Sequence, residues 1–171
     1  MVRCKHEALR SGRRTVDIGV HGLEVTTPIG VRLCSIYEPV LVIEAKRLPA
    51  PKKYREREFV MGTDQSSGRP TGGIQRFKLG LHGSDVESAA MIGYIKQHSP
   101  RHWHGTINGW ITDLIGVANT AGCVWSKADL LQPLQINDSN RTAFSVSSHQ
   151  RHRECLTTAL VLHQLRVVME S

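Results

Sequence analysis

One apolar run limits the possible folds more than any other segment of this chain. Residues 40–43 (VLVI) follow Pro39 and precede the charged residues Glu44, Lys46 and Arg47. Four consecutive apolar residues bounded by a proline are typical of a strand that is buried on both faces of a sheet. The charged residues indicate where that strand leaves the core. The sequence therefore predicts a central strand with polar groups at its carboxyl end.

Further segments have the residue types and the alternation of strands. Residues 15–20 predict a strand with a carboxylate in its middle, and residues 31–36 predict a half-buried strand. Together with the apolar run they predict a three-stranded meander. Residues 89–95 predict a short buried strand. Residues 141–148 and 156–169 predict an antiparallel pair that closes the sheet.

Two segments have helical spacing, and a long polar segment separates the first of them from the apolar run. Residues 74–81 predict a short helix, and apolar residues three and four positions apart predict an amphipathic helix over 103–117. Residues 49–73 are rich in Pro, Gly, Ser and charge, which predicts a long charged loop. The order of elements predicts a single domain over 1–171 of the α/β (α+β mixed sheet) class, with a central mixed β-sheet flanked by helices.

Charge is the compositional feature that narrows the function. The 171 residues contain 22 Lys and Arg against 15 Asp and Glu, a formal net charge of +7, and 15 of the 22 cations are Arg. A net positive charge attracts polyanions, and the planar guanidinium of Arg can donate hydrogen bonds to a phosphate group. Nucleic acid, here DNA, is therefore the expected partner. The hydrophobic content of 40% is unlike that of a disordered chain. No apolar run is long enough to cross a bilayer, so we expect a cytoplasmic protein without a membrane partner.

The cysteines and histidines give weaker signals. The four cysteines have no CxxC spacing, which favours reduced thiols over a zinc ribbon or a redox motif. His98, His102 and His104 lie close together in HSPRHWH and would suit a zinc site, but no cysteine or carboxylate stands beside them. The same imidazoles beside Arg101 would equally suit phosphate contact.

Glu44 and Lys46 carry the main chemical signal. Residues two apart on a strand project from the same face, so both side chains leave the end of the apolar strand together. A carboxylate binds a hard cation through oxygen, and a lysine beside it orients or helps to deprotonate a water. The alternative interpretation is a solvated strand end without chemistry.

A second carboxylate is needed to fix a cation, and three residues could supply it. Asp17 lies in the first strand of the predicted meander, where it would meet Glu44 if that strand pairs nearby. Glu24 and Glu38 are alternatives. Glu38 is only six residues before Glu44 on what reads as the same strand, so we favour Asp17.

These residues resemble the PD-(D/E)xK nuclease superfamily, the restriction-endonuclease-like fold. The resemblance rests on Asp17, on Glu44-Ala45-Lys46 in IEAKRL, and on the segments GGIQRFKLGLHG and AMIGYI that follow, over about residues 15–95. It implies a restriction-endonuclease-like core and a Mg²⁺-dependent enzyme, with Mn²⁺ as a substitute, that hydrolyses phosphodiester bonds of DNA in defence against foreign DNA or in DNA processing.

The resemblance also implies roles for individual residues. Asp17, Glu44 and the carbonyl of Ala45 would hold the metal, Lys46 would act on the attacking water, and Gln75 falls where some members carry an active-site glutamine. A homodimer or a larger complex is expected because cutting both strands takes two active sites. The alternative is a catalytically inactive DNA-binding or assembly subunit with the same fold.

Basic side chains outside this group are candidates for contact with nucleic acid. Some flank the predicted catalytic strand and the short helix, and others lie in the histidine-rich segment and in the last hairpin. The candidates are Arg47, Arg76, Lys78, Arg101, His102 and Arg151. For each of them an ordinary exposed or structural role is the competing interpretation.

Overall fold

The computed structural model of the protein describes residues 2–5, 18–22, 26–29, 32–35, 39–117, 122–155 and 157–170. Within these ranges the elements follow one another as β1 (Val2–Lys5), β2 (Ile18–Gly22), β3 (Thr26–Ile29), β4 (Arg32–Ser35), β5 (Pro39–Leu48), a 3-10 helix (Lys53–Phe59), α1 (Gly73–Lys78), β6 (Ser88–Ile95), α2 (Pro100–Leu114), a second 3-10 helix (Lys127–Asp129), β7 (Gln135–Asn137), β8 (Thr142–Gln150) and β9 (Ala159–Val168).

Seven of these strands form one mixed sheet in the order β1-β2-β5-β6-β9-β8-β7. Strand β6 runs parallel to both β5 and β9, and the remaining neighbours are antiparallel. The connection from β5 to β6 passes through α1, as a parallel pair requires a crossover. The predicted α/β mixed-sheet class is therefore confirmed, and β5 and β6 lie inside the sheet as expected.

The predicted meander is wrong. Strand β4 pairs with β3 in a separate two-stranded sheet. Strand β2 instead pairs directly with β5, with Ile18 opposite Ile43 and Gly19 opposite Val42. The alternation in residues 31–36 predicts a strand, but it does not predict the partner of that strand.

One face of the sheet carries the core. On β5, Val42, Glu44 and Leu48 are buried while the intervening residues are half-buried or exposed, so the expectation that this strand is buried on both faces is wrong. Strands β6, β8 and β9 alternate in the same way. The apolar residues of this face form a single cluster with the inward side chains of α1 and α2.

The amphipathic helix predicted over 103–117 is observed as α2, three residues earlier at each end. Ser99 caps it by accepting a hydrogen bond from the backbone N–H of His102 at 3.2 Å, and Pro100 occupies the first turn. Trp103, Ile107 and Ile111 are fully buried against the sheet. Each such side chain contributes roughly 1.5–3 kcal/mol through removal of apolar surface from water.

The segment 49–73 is more ordered than a loop. It contains the 3-10 helix Lys53–Phe59, and the side chains of Phe59 and Val60 are buried in the core. Its end packs so closely that a Cβ on Gly72 would lie 2.6 Å from the carbonyl oxygen of Val60. Glycine at this position therefore lets α1 begin directly beside residues 60–62.

The remaining predicted elements agree with the structure except at one side chain. The predicted helix over 74–81 is observed as the six residues of α1, with Ile74 and Phe77 buried, but Leu81 is 53% exposed. The predicted strand over 89–95 and the closing pair correspond to β6 and to β8 with β9. No helix in the described ranges has the length and apolarity needed to cross a membrane.

Candidate active site

Glu44 and Lys46 lie side by side in the carboxyl-terminal half of β5. Nζ of Lys46 is 2.8 Å from Oε1 of Glu44, so the spacing of two on a strand brings the two side chains together as predicted. The Glu44 side chain is 2% exposed and that of Lys46 is 19% exposed. Lys46 is therefore the member of this pair that reaches solvent.

The helix α1 adds a second cation to the same carboxylate. The guanidinium Nη1 of Arg76 donates a hydrogen bond to Oε1 of Glu44 at 3.0 Å, and Arg76 is 7% exposed. Because α1 follows directly on the close contact at Gly72, its short backbone is fixed beside β5 and Arg76 is aimed at the sheet. Because Lys46 and Arg76 both donate to one oxygen of Glu44, their positive charges favour the ionised form of this carboxylate.

His82 completes this group, which we call the Glu44 cluster (Glu44, Lys46, Arg76 and His82). Nδ1 of His82 lies 2.8 Å from Oε2 of Glu44, and Nε2 of His82 contacts Nη2 of Arg76. The imidazole is 1% exposed. An arginine can only donate, so contact with Nε2 favours the tautomer that carries the proton on Nδ1, facing Glu44.

The pKa of Glu44 reflects two opposing causes. Burial raises it, but the close contact with His82 and the electrostatic effects of Lys46, His82 and Arg76 outweigh burial and lower the pKa from 4.5 to about 2. Glu44 is therefore a carboxylate across the physiological range, as a group that holds a cation must be.

The second oxygen of Glu44 bears on whether a metal ion fits here. Although it is buried and close to His82, Oε2 has no well-aligned hydrogen-bond partner among the described residues, and neither does Nδ1 of His82. A buried carboxylate oxygen with spare lone pairs is suited to a cation. The described residues nevertheless contain no group of three or more His, Cys, Asp or Glu side chains arranged to hold one. Glu44 thus fits as one ligand of a site that needs a further acid.

The other predicted catalytic and metal-binding residues are placed as follows. Asp17, Glu24 and Glu38 lie outside the described residues. Ala45 lies in the parallel ladder opposite Ile92 of β6. The side-chain oxygen of Gln75 accepts hydrogen bonds from the backbone N–H groups of Gly62 at 3.1 Å and Gly72 at 3.3 Å. Gln75 is fully buried and holds the start of α1 against residues 60–62.

The predicted nucleic-acid contacts divide into exposed and buried groups. Arg47 is exposed on the opposite face of β5 from Glu44, and Arg101 and His102 are exposed in the first turn of α2. Arg76 belongs to the Glu44 cluster, while Lys78 and Arg151 are 2% and 7% exposed with partners inside the protein. Contact with nucleic acid stays a prediction for all six.

Arg151 has a structural role that the sequence did not reveal. It donates to the backbone carbonyls of Phe77 at 3.1 Å and Val86 at 2.9 Å and to the hydroxyl of Thr157 at 2.7 Å. It also contacts the carbonyls of His82 and Gly83. One guanidinium therefore fastens the segment after α1, including His82, to the end of β8.

A second buried polar group surrounds Asp129. Its Oδ1 pairs with Lys78 of α1 and lies 2.6 Å from Nδ1 of His149, whose Nε2 lies 2.8 Å from the hydroxyl oxygen of Ser147. Burial alone would raise the pKa of Asp129, but the contacts with His149 and Lys78 lower it, whereas burial lowers the pKa of His149. Ser147 is fully buried, so this chain of contacts joins α1, the second 3-10 helix and β8 rather than facing substrate.

The histidine-rich segment forms no metal site within the part of the chain that the structure describes. The rings of His98 and His102 stack with centroids 4.3 Å apart, and Nε2 of His104 lies 2.9 Å from the carbonyl oxygen of Gln132.

Sequence reasoning missed His82 and Asp129. His82 lies in the turn after α1 and Asp129 ends the second 3-10 helix, and only the packing of α1 shows that Arg76 reaches one cluster and Lys78 the other. Comparison with known proteins adds no assignment, because no protein-family model, no curated protein and no solved structure matches this chain.

Proposed function

We propose that this protein is a divalent-metal-dependent nuclease that hydrolyses phosphodiester bonds of DNA. The observation that carries the proposal is the pairing of Glu44 with Lys46 at the end of β5, where one carboxylate oxygen is held by cations and the other has no well-aligned partner in the described structure. The net charge of +7 supports a polyanionic substrate.

Each residue of the Glu44 cluster has a distinct part in this proposal. Glu44 supplies an oxygen ligand through Oε2. Lys46, partly exposed, reaches the side from which a water and a phosphate would approach, where its ammonium orients the water and stabilises negative charge at the phosphorus. Arg76 fixes Glu44 through Oε1, so that Oε2 contacts only Nδ1 of His82 among the residues of the cluster, and a metal would bind beside this imidazole.

The proposal requires a second acid, which we assign to Asp17. Strand β2 begins at Ile18, which pairs with Ile43, the residue before Glu44. Residues opposite each other in an antiparallel pair project from the same face. The assignment therefore requires this register to continue by one residue, to Asp17 and Glu44.

Mg²⁺ or Mn²⁺ held by Glu44, Asp17 and the carbonyl of Ala45 would supply Lewis-acid stabilisation of the phosphate and lower the pKa of a bound water. In hydrolysis the water oxygen forms the new bond to phosphorus and the bond to the 3′ oxygen breaks. The products are a 5′-phosphate and a 3′-hydroxyl.

We further propose a homodimer or a larger complex for cleavage of both strands, since each strand needs its own site.

The test is cleavage of supercoiled and single-stranded DNA with Mg²⁺ or Mn²⁺, comparing the wild type with Glu44→Gln, Lys46→Ala and Asp17→Asn. We expect metal-dependent cleavage that each variant reduces at least about 100-fold, the usual scale for losing one electrostatic group at a reaction centre. Lys96→Ala, a change to an exposed lysine beyond β6, is the matched control and should cleave like the wild type. Cleavage that survives Glu44→Gln would remove Glu44 from the reaction.

A second candidate is a DNA-binding or assembly subunit that does not cut. It is favoured by the same Arg76 and His82 contacts, because they keep Glu44 ionised without a metal. This candidate predicts DNA retention that falls with salt and no cleavage with either metal. Wild-type protein that retains DNA but leaves it intact under all conditions of the test would support it over the nuclease.

A further inference from the structure

We infer that a basic cleft beside the carboxyl end of α1 binds a nucleoside monophosphate, either free or as the terminal nucleotide of a DNA strand. The cleft has a volume of about 450 Å³, within the range of small-ligand pockets. Four of its lining residues carry basic side chains, Lys78, Arg151, His152 and Arg153, and no acidic residue lines it. It lies apart from the residues of the Glu44 cluster.

The positive charge of the cleft is only partly neutralised. Lys78 is paired with Asp129, but every partner of the Arg151 guanidinium is a neutral carbonyl or hydroxyl oxygen. Arg153 is exposed and forms no ion pair within the described ranges. Arg151 therefore fixes the wall and adds positive charge, which Asp85 partly offsets. The guanidinium of Arg153 is the group placed to donate to two phosphate oxygens at once.

Another part of the cleft wall, which we call the apolar wall, is suited to a base or sugar. It contains Gly122, Cys123 and Val124, and Val124 is 71% exposed. Burial raises the pKa of the Cys123 thiol to about 11, so this wall is uncharged at neutral pH. A phosphate on the arginine side with an apolar ring on the other matches a nucleotide better than an inorganic anion.

The basic wall is held rigidly. The backbone N–H of His152 donates to the carbonyl of Lys78 at 2.9 Å, and Nε of Arg151 donates to the carbonyl of Phe77 at 3.1 Å. These bonds fix the turn after β8 to α1. The backbone that carries Arg153 is therefore already ordered before a ligand binds, so binding loses little conformational entropy there.

The inference does not require cleavage. Arg76 and Lys78 are two residues apart on α1, so one short helix contributes to both the Glu44 cluster and the cleft. If the proposed nuclease activity is also present, its products carry the 5′-phosphate that the cleft would bind. Glu44→Gln should leave binding in the cleft unchanged, which separates failure of one proposal from failure of the other.

The test measures binding of deoxyadenosine 5′-monophosphate by calorimetry, with deoxyadenosine as the control without phosphate. We expect saturable binding of the monophosphate, at least about tenfold weaker binding of the nucleoside, and a loss of at least about tenfold in Arg153→Ala. Val124→Glu, which adds a negative charge to the apolar wall, should weaken binding similarly. Arg69→Ala, a change to an exposed arginine outside the cleft, should bind like the wild type.

A second arm separates the two sources of the nucleotide. Short single-stranded oligonucleotides with a 5′-phosphate or a 5′-hydroxyl are compared for binding without metal. A preference for the phosphorylated end that Arg153→Ala abolishes identifies a strand end, and competition by the free monophosphate identifies a shared site. If neither the monophosphate nor the phosphorylated end binds with sensitivity to Arg153 and Val124, the inference is wrong.

Discussion

Arg76 and Glu44 are 32 residues apart in the chain, yet Nη1 of Arg76 lies 3.0 Å from Oε1 of Glu44, and both side chains are almost fully buried. The bond joins α1 to the strand that carries the candidate active site. Breaking this pair from one side leaves Glu44 buried with Lys46 and His82 as its remaining partners, and it removes the hydrogen bond between the helix and the strand.

Arg76→Ala should therefore destabilise the protein by about 2 kcal/mol, the scale for losing one buried hydrogen bond between charged groups while Glu44 keeps its other partners. The measurement is the free energy of unfolding in urea at pH 7. The matched control is Arg57→Ala, because Arg57 pairs with Asp113 on the surface and should contribute less than about 1 kcal/mol. Equal effects of the two changes would contradict a buried ion pair.

Stability should fall in acid because of Glu44. Its folded-state pKa of about 2 lies below the ordinary 4.5, so its contribution is complete above pH 4.5 and disappears as the pH falls toward 2. The contribution is about 3 kcal/mol at roughly 1.4 kcal/mol per pKa unit. Urea unfolding from pH 7 to pH 3 should show a steeper loss for the wild type than for Glu44→Gln, which has no carboxylate to titrate. Parallel curves would contradict the shift.

Asp129→Asn should destabilise the protein by about 3 kcal/mol, because it removes the anion that Lys78 and His149 share. Trp125 provides a local probe, since Nζ of Lys78 lies 5.0 Å from its ring centroid. We expect a change in tryptophan fluorescence together with the change in unfolding energy. Asp113→Asn, at an exposed pair, is the control and should change neither quantity.

Arg166→Met should leave the protein as stable as the wild type, or stabilise it by up to about 2 kcal/mol. Arg166 is fully buried, burial lowers its pKa to about 10, and its Nε and Nη2 have no partner in the described structure. Its Nη1 donates to the hydroxyl of Ser145 at 3.1 Å. The measurement is the midpoint of thermal unfolding, with Arg101→Met as the exposed control. A midpoint well below that of the wild type would show that Arg166 has an internal acceptor.

Elements with strong local patterns could be predicted from the sequence. The apolar run before Glu44 and the spacing of Trp103, Ile107 and Ile111 each specify an element regardless of its surroundings, and β5 and α2 appear where expected. The pairing of Glu44 with Lys46 follows from the same strand geometry.

Contacts that depend on packing between elements could not be predicted. The pattern of residues 31–36 is identical whether β4 joins β5 or β3, so the meander was a plausible error. Likewise, sequence patterns predict that a basic residue on a short helix is exposed to solvent. Arg76 and Lys78 are buried because the contact at Gly72 brings α1 close to the sheet, and because their carboxylate partners Glu44 and Asp129 come from distant parts of the chain.

The position of β9 between β6 and β8 has a consequence for synthesis on the ribosome. Glu44 and Lys46 are translated more than a hundred residues before β9, but the sheet stays in two separate parts until β9 joins them. Asp129 and Arg151, which hold α1 and the segment of His82, also emerge late. A nascent chain therefore carries Glu44 and Lys46 before it carries the residues that fix them, so the Glu44 cluster can be completed only after β9 has been translated.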